Sequence, residues 1–273
     1  CKVTEEGFYF LPRLPAGYII DDDLYQKIFL IASAALYPKF TLLKQNSAYF
    51  VPMDTDDIHT QRALFFPWQQ GISERLVITD LDQFTTTLTH QQIPIMKQLT
   101  LNYQNITSIA IAGNSGSGKS YMLTYLLNVL KPISELIIVD PKFDTPSRWA
   151  RIHDIAVIHP HQNRSKSDFL SEINENLSHC LQVIQQRQTI LYDDSDYQFE
   201  HLTIVIDEVL ALAEGVNKAI KDAFFSLLSQ IALLGRATKV HLLLVSQRFD
   251  HQTIPVSVRE QLNVLIQIGN INK

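Results

Sequence analysis

The chain has 273 residues, enough for one large α/β domain or for a core domain with a smaller companion. A net charge of −5 and a pI near 6.0 exclude a globally basic nucleic-acid binder, so contact with DNA has to come from a local stripe or from basic side chains concentrated in a ring. Cys1 and Cys180 are too few for a disulfide framework, which points to a reducing cytoplasm.

Taken in chain order, residues 1–72 read as a small α+β accessory domain without chemistry of its own. A first residue that is Cys and not Met leads us to expect a fragment of a longer protein, from which a membrane anchor could have been removed. After "LPRLPAG", Asp21 to Asp23 precede an apolar pattern through Leu24, Ile28, Ile31 and Leu36, where an N-cap and first-turn carboxylates belong. The apolar run Ile28 to Tyr37 is about half the length needed to span a bilayer, so this helix is expected in a soluble domain. "KFTLLKQNSAYFVPMD" alternates around a Gln-Asn-Ser turn and predicts a β-hairpin, and "FFPWQQG" (Phe65 to Gly71) an exit linker.

From "ERLVITDL" onward, over 73–273, the pattern is strand, loop, helix, repeated. Ile109 to Ala112, "ELIIVDPK" (Glu135 to Lys142), "LTIVIDEV" (Leu202 to Val209), "VHLLLVSQR" (Val240 to Arg248) and "LNVLIQIG" (Leu262 to Gly269) are short β-branched runs, as in strands buried on both faces of a parallel sheet. Helices are predicted over Tyr121 to Leu130, through Phe169, Ile173, Leu177, Leu181 and Ile184, and from about Asn217 to Leu234. The expected fold class is α/β, a P-loop domain whose mainly parallel sheet is flanked by helices. Ligands in such folds sit at the carboxyl ends of the strands, which is where the polar clusters fall.

The first cluster is Gly113, Asn114, Ser115, Gly116, Ser117, Gly118, Lys119 and Ser120, which satisfies GxxxxGK[ST] between a strand and a helix. The glycines let backbone N–H groups line a nest for a polyphosphate, Lys119 neutralises the β and γ phosphates, and the Ser120 hydroxyl is placed for Mg²⁺. The ligands expected are therefore ATP and Mg²⁺. At the end of an apolar strand, Asp207 would hold Mg²⁺ through water and Glu208 would take a proton from the attacking water, unless the pair is only an acidic strand end that begins a helix. Gln247 could hydrogen-bond the γ-phosphate or the water, or could be a solvated loop amide. His153, His159 and His161 lack CxxC or HExxH partners and read as a solvated loop.

"AIAGNSGSGKS", "LIIVDPKFD", "IVIDEV" and, most specifically, "LLSQIALLGRATKVHLLLVSQRFD" resemble the motor domain of FtsK/SpoIIIE-type DNA translocases of the HerA/RecA-like class, over roughly residues 73 to 270. The tail "IPVSVREQLNVLIQIG" is most similar to FtsK-like coupling proteins of Gram-positive conjugative elements. The resemblance implies a RecA-like P-loop NTPase and a homo-oligomer in the form of a hexameric ring. It implies DNA as substrate, with a relaxase and secretion-channel proteins as partners at the cytoplasmic face of the membrane. Carried over by position, Gly113 to Ser120 bind ATP and Mg²⁺, Asp207 and Glu208 are the Mg²⁺ carboxylate and the base, and Gln247 is the sensor. Arg236 is the finger reaching a neighbour's γ-phosphate, its alternative role being a helix cap. Lys142 in "DPK" falls near the site without an assigned role. Lys218, Lys221 and Lys239 are the candidates to face DNA. The alternatives are a related motor of a protein secretion system and a soluble P-loop kinase or switch.

Overall fold

The computed structural model describes residues 1–12, 21–45, 50–72, 74–89, 91–249 and 254–269. They form two compact units, the first comprising Cys1–Leu76 with Pro94–Leu99, the second Val77–Ile93 with Thr100–Lys273.

In the first unit, β1 (Lys2–Val3), β2 (Gly7–Phe10), β3 (Phe40–Leu42) and β4 (Phe50–Pro52) gather around β5 (Arg62–Gln70), and α1 (Asp22–Leu36) packs on that sheet. The Asp21 carboxylate accepts the Leu24 N–H and opens the helix, as a cap should. Two expectations fail here. β3 and β4 both pair antiparallel with β5, so they are not the two arms of one hairpin, and residues 46–49 of its expected turn lie outside the described residues. "FFPWQQG" is no linker. Its residues through Gln70 belong to β5, whose Phe66 is stacked between Phe8 and Tyr25. On α1 the packed stripe runs through Tyr25, Ile28, Phe29, Ala32 and Leu36, leaving Ile31 exposed. Among the described residues no helix is long and apolar enough to cross a membrane.

Residues 74–80, within "ERLVITDL", form no strand. The short helix α2 (Leu81–Thr86) and the ribbon of β6 (Gln92–Met96) and β7 (Leu99–Asn102) come next. They lead into the second unit's main sheet. Its members are β8 (Ser108–Ala112), β9 (Ser134–Val139), β10 (Val157–Ile158), β11 (His201–Ile206), β12 (Val240–Ser246) and β13 (Val264–Gln267), in the order β10-β9-β11-β12-β8-β13. All five pairings are parallel. The intervening helices are α3 (Lys119–Leu130), α4 (Thr145–Ile152), α5 (Lys166–Asp193), α6 (Val209–Ala213), α7 (Lys218–Thr238) and α8 (Val256–Arg259). α5 and α7 share one core with Leu202, Ile204 and Ile206 of β11 and Val240, Leu242 and Leu244 of β12. This is the RecA-like P-loop fold, a parallel sheet flanked by helices. Asn263 fastens the last strand to β8: its Oδ1 accepts from the Thr107 and Ser108 N–H groups and its Nδ2 donates to the Asn105 carbonyl.

At the amino ends of the strands, His201 Nδ1 lies 2.7 Å from His241 Nε2, and Tyr103 packs against both rings. Burial holds both imidazoles well below their ordinary pKa, assisted at His201 by the charges of Lys239 and Arg187 and at His241 by His201. Because the folded state keeps the pair neutral while the unfolded chain titrates near 6.5, the pair's contribution to stability is complete above about pH 6.5 and is lost as pH falls toward 4. We expect the pair to account for a loss on the order of 3–4 kcal/mol between pH 7 and 5 in denaturant titrations. The His201→Gln/His241→Gln variant should lose less over that range. Equal acid sensitivity of the two proteins would show that the pair is not its source.

Candidate functional site

Six residues separate the end of β8 from the start of α3, and they form a loop at the carboxyl edge of the sheet. Gly113 has to be glycine, because a Cβ there would stand 2.7 Å from the Ile268 carbonyl oxygen, just beyond β13, and closer still to Ser117 Oγ. Gly118 is the N-cap of α3 and offers no side-chain cap, so the first N–H groups of that helix face the loop. Ser117 Oγ is buried and has no hydrogen-bond partner among the described residues. Lys119 is buried, and its Nζ donates to the carbonyls of Gly113 at 2.7 Å and Asn114 at 3.3 Å.

The tip of β11 stands one strand away from β8, with β12 between them. Asp207 donates its N–H to the Val139 carbonyl, which ties this tip to the end of β9. Glu208 follows in the left-handed region, at φ 47° and ψ 56°, a conformation that costs a non-glycine residue about 1–2 kcal/mol. Its buried carboxylate lies 3.9 Å from Lys119 Nζ and 2.8 Å from Lys142 Nζ. Lys142 is delivered by the loop after β9. That loop is organised by Asp140, whose fully buried carboxylate accepts from the N–H groups of Lys142, Asp144 and Ser147 and from the Ser147 hydroxyl.

Lys119, Lys142, Asp207 and Glu208 line a cavity of about 320 Å³ together with Asn114, Ser115, Gly116, Gly118, Ser120 and Tyr121. Burial and the neighbouring charges of Glu208 and Asp140 push the Asp207 carboxyl up to about 6, with Lys142 opposing them. For Lys142 itself, burial lowers the ammonium pKa, but the Glu208 hydrogen bond and the charges of Glu208, Asp207 and Asp140 outweigh it and leave it raised. Asp207 and Glu208 face a loop whose N–H groups and lysine suit an anion. The donor set thus fits a nucleoside triphosphate with Mg²⁺, Ser120 and Asp207 being the side chains that would hold the ion.

Gln247 follows β12 at the same edge and is exposed; Ser246 before it pairs in register with Ala112 of β8. Arg236 is elsewhere. α7 continues four residues past the expected Leu234, so Arg236 lies inside its last turn, exposed, at the amino end of β12, and not just past the helix. The length of β12, roughly 20 Å, separates it from Gln247. Two of the helix's last carbonyls are satisfied by other groups: Arg187 donates to Thr238 O, and the Lys239 N–H and Thr238 hydroxyl donate to Gly235 O. Capping is therefore done by Arg187. Lys218 and Lys221 open α7 whereas Lys239 closes it, about 30 Å away, with its Nζ donating to the Gln104 carbonyl. Sequence reasoning left Lys142 and Asp140 without roles. The signal was the "DPKFD" run itself, but its meaning depends on β9 lying beside β11.

Phosphate loop, strand-tip carboxylates and all-parallel sheet define the class: the fold is that of a RecA-like P-loop ATPase. No protein-family model matches the chain. It is 22% identical over 184 residues to the FtsK domain-containing protein YdcQ of Bacillus subtilis (strain 168), a match covering 65% of this chain and 37% of that protein. Among solved structures, the pCW3 conjugation coupling protein TcpA, a monomer form with ATPγS, is similar with a TM-score of 0.57 and 17% identity, over 91% of this chain and 70% of TcpA. EssC (ATPases 2 and 3) from Geobacillus thermodenitrificans is similar with a TM-score of 0.52 and 14% identity, over 75% of this chain and 41% of EssC. The chain shares its fold with TcpA and EssC. It spans little more than a third of the length of the curated relative it matches.

Proposed function

We propose that this chain is the motor of an ATP-driven DNA translocase, a coupling protein that moves DNA to a secretion channel during conjugative transfer. The observation that carries the ATPase part is the convergence of Lys119 and Glu208, 3.9 Å apart, in one cavity with Asp207 and Ser120. In this reading Gly113, Asn114, Ser115, Gly116, Ser117 and Gly118 surround the phosphates and Lys119 moves from the Gly113 and Asn114 carbonyls to the phosphate oxygens. Glu208 accepts the proton of the attacking water and Gln247 monitors the terminal phosphate. Ser120 and Asp207 would hold Mg²⁺, which would supply charge neutralisation to the phosphates. Arg236, too far from its own phosphate loop, serves the neighbouring subunit of a hexameric ring. Residues 1–72 are an accessory domain, 73–273 the motor, and the full-length protein works at the cytoplasmic face of the membrane beside a relaxase.

The likeness to a conjugation coupling protein over 91% of this chain, against 75% for EssC, supports the DNA reading. The test is phosphate release with and without single- and double-stranded DNA. We expect stimulation at low salt. With the overall charge negative, binding rests on a few local phosphate contacts, so apparent DNA affinity should fall roughly ten- to a hundredfold between about 50 and 200 mM salt. Absence of stimulation by either form, in protein that demonstrably oligomerises, selects the second reading, a motor of a protein secretion system, which the EssC-like fold favours.

A further inference from the structure

Glu208 is held by a lysine to which the proposed mechanism gives no task. Lys142 Nζ stands 2.8 Å from Glu208 Oε1, closer than the phosphate-loop lysine at 3.9 Å. The two partners differ in freedom. The Glu208 side chain is 7% exposed and fixed at the tip of β11, whereas that of Lys142 is 52% exposed. Three backbone N–H groups, those of Lys142, Asp144 and Ser147, donate to the Asp140 carboxylate and hold the lysine's loop, so the ammonium can change partner without the loop unfolding. Lys142 also lines the cavity that receives the phosphates. A triphosphate brings several negative charges there and outcompetes a single carboxylate for an exposed ammonium.

We propose that Lys142 is the positioning residue of Glu208: it holds the carboxylate until a nucleoside triphosphate enters the cavity and draws the lysine away. This deepens the proposed function and rests on Glu208 being the base. While Oε1 accepts from Lys142 Nζ, its approach to a water is blocked. Release is therefore tied to occupancy.

A double-mutant cycle tests the pair. Thermal melting is measured for the native chain, Lys142→Met, Glu208→Gln and the double variant, with and without Mg–ATPγS. Without nucleotide the losses in Tm should overlap, the double variant falling short of additivity by roughly 3 °C or more. With Mg–ATPγS they should become additive. Additive losses without nucleotide, or an overlap of unchanged size with it, would overturn the proposal. If Mg–ATPγS fails to raise the native Tm, the ATPase reading itself falls, a result distinct from persistence of the pair in a chain that binds nucleotide. A second readout follows nucleotide. Since bound nucleotide has already freed Glu208, Lys142→Met should weaken Mg–ATPγS binding about fivefold yet release phosphate far faster than Glu208→Gln, and Lys142→Arg should restore the native Kd. A drop of Lys142→Met to the level of Glu208→Gln would assign the lysine to catalysis and refute the holding role.

Discussion

Substitution of Lys119 by alanine is expected to abolish phosphate release and to weaken ATP binding, whereas Glu208→Gln should keep binding and stop turnover. The contrast follows from geometry. Lys119 Nζ is packed into the phosphate loop, 2.7 Å from the Gly113 carbonyl, so its charge acts on the bound phosphates in ground and transition states alike. Glu208 stands across the cavity, where its carboxylate contributes only when a water must lose a proton. Loss of the base should cost on the order of 10²- to 10⁴-fold in kcat with little change in KM. Removal of Lys119 should raise the Kd for ATP and lower kcat together. The measurements are nucleotide titration and single-turnover phosphate release. Turnover by Glu208→Gln comparable to the native rate would remove the base assignment, and tight ATP binding by Lys119→Ala would place the phosphates elsewhere.

The second large effect concerns Arg236. It is exposed at the amino end of β12 while the phosphate loop and Gln247 lie at the carboxyl edge, so one subunit cannot bring this guanidinium to its own nucleotide. The capping alternative is weakened by Arg187, which already takes the Thr238 carbonyl. A guanidinium delivered across a subunit boundary stabilises charge on the transferring phosphoryl group and is worth about 10³- to 10⁵-fold. Arg236→Ala should accordingly be as inactive as Lys119→Ala. Mixed under assembly conditions, the two inactive proteins should recover part of the ATPase activity, because some interfaces then join an intact Arg236 to an intact Lys119. Proven subunit mixing without recovery, or full activity of Arg236→Ala alone, would end the finger role.

Gly235, just before Arg236, shows how α7 comes to its end at this place. A Cβ on Gly235 would overlap the Val240 carbonyl oxygen, so only glycine lets the last turn lie against the start of β12. The "GR" pair was visible as a motif, but the helix was expected to stop earlier. Thr238 extends it by returning its hydroxyl to the Gly235 carbonyl, and Lys239 closes it in the left-handed region at φ 56°.

The features legible in the sequence are those set by neighbouring residues. The strands β8, β11 and β12 are continuous apolar runs because both of their faces are covered, and their wholly buried patterns agree with that reason. The phosphate loop could be placed because its glycines, lysine and serine act within eight consecutive positions, and Asp21 because a cap reaches only three residues ahead. Tertiary structure decided the rest. "FFPWQQG" carries the Pro and Gly punctuation of a linker, yet strands on both sides of β5 make it the centre of a sheet, and pairing partners distant in the chain leave no mark on local composition. The same holds for Lys142 and Glu208. They are 66 positions apart, and they meet because β9 and β11 are adjacent, with Val139 in register with Ile206. Short-range periodicity specifies which face of an element is apolar; which charge meets which carboxylate depends on the order in which the strands are laid side by side.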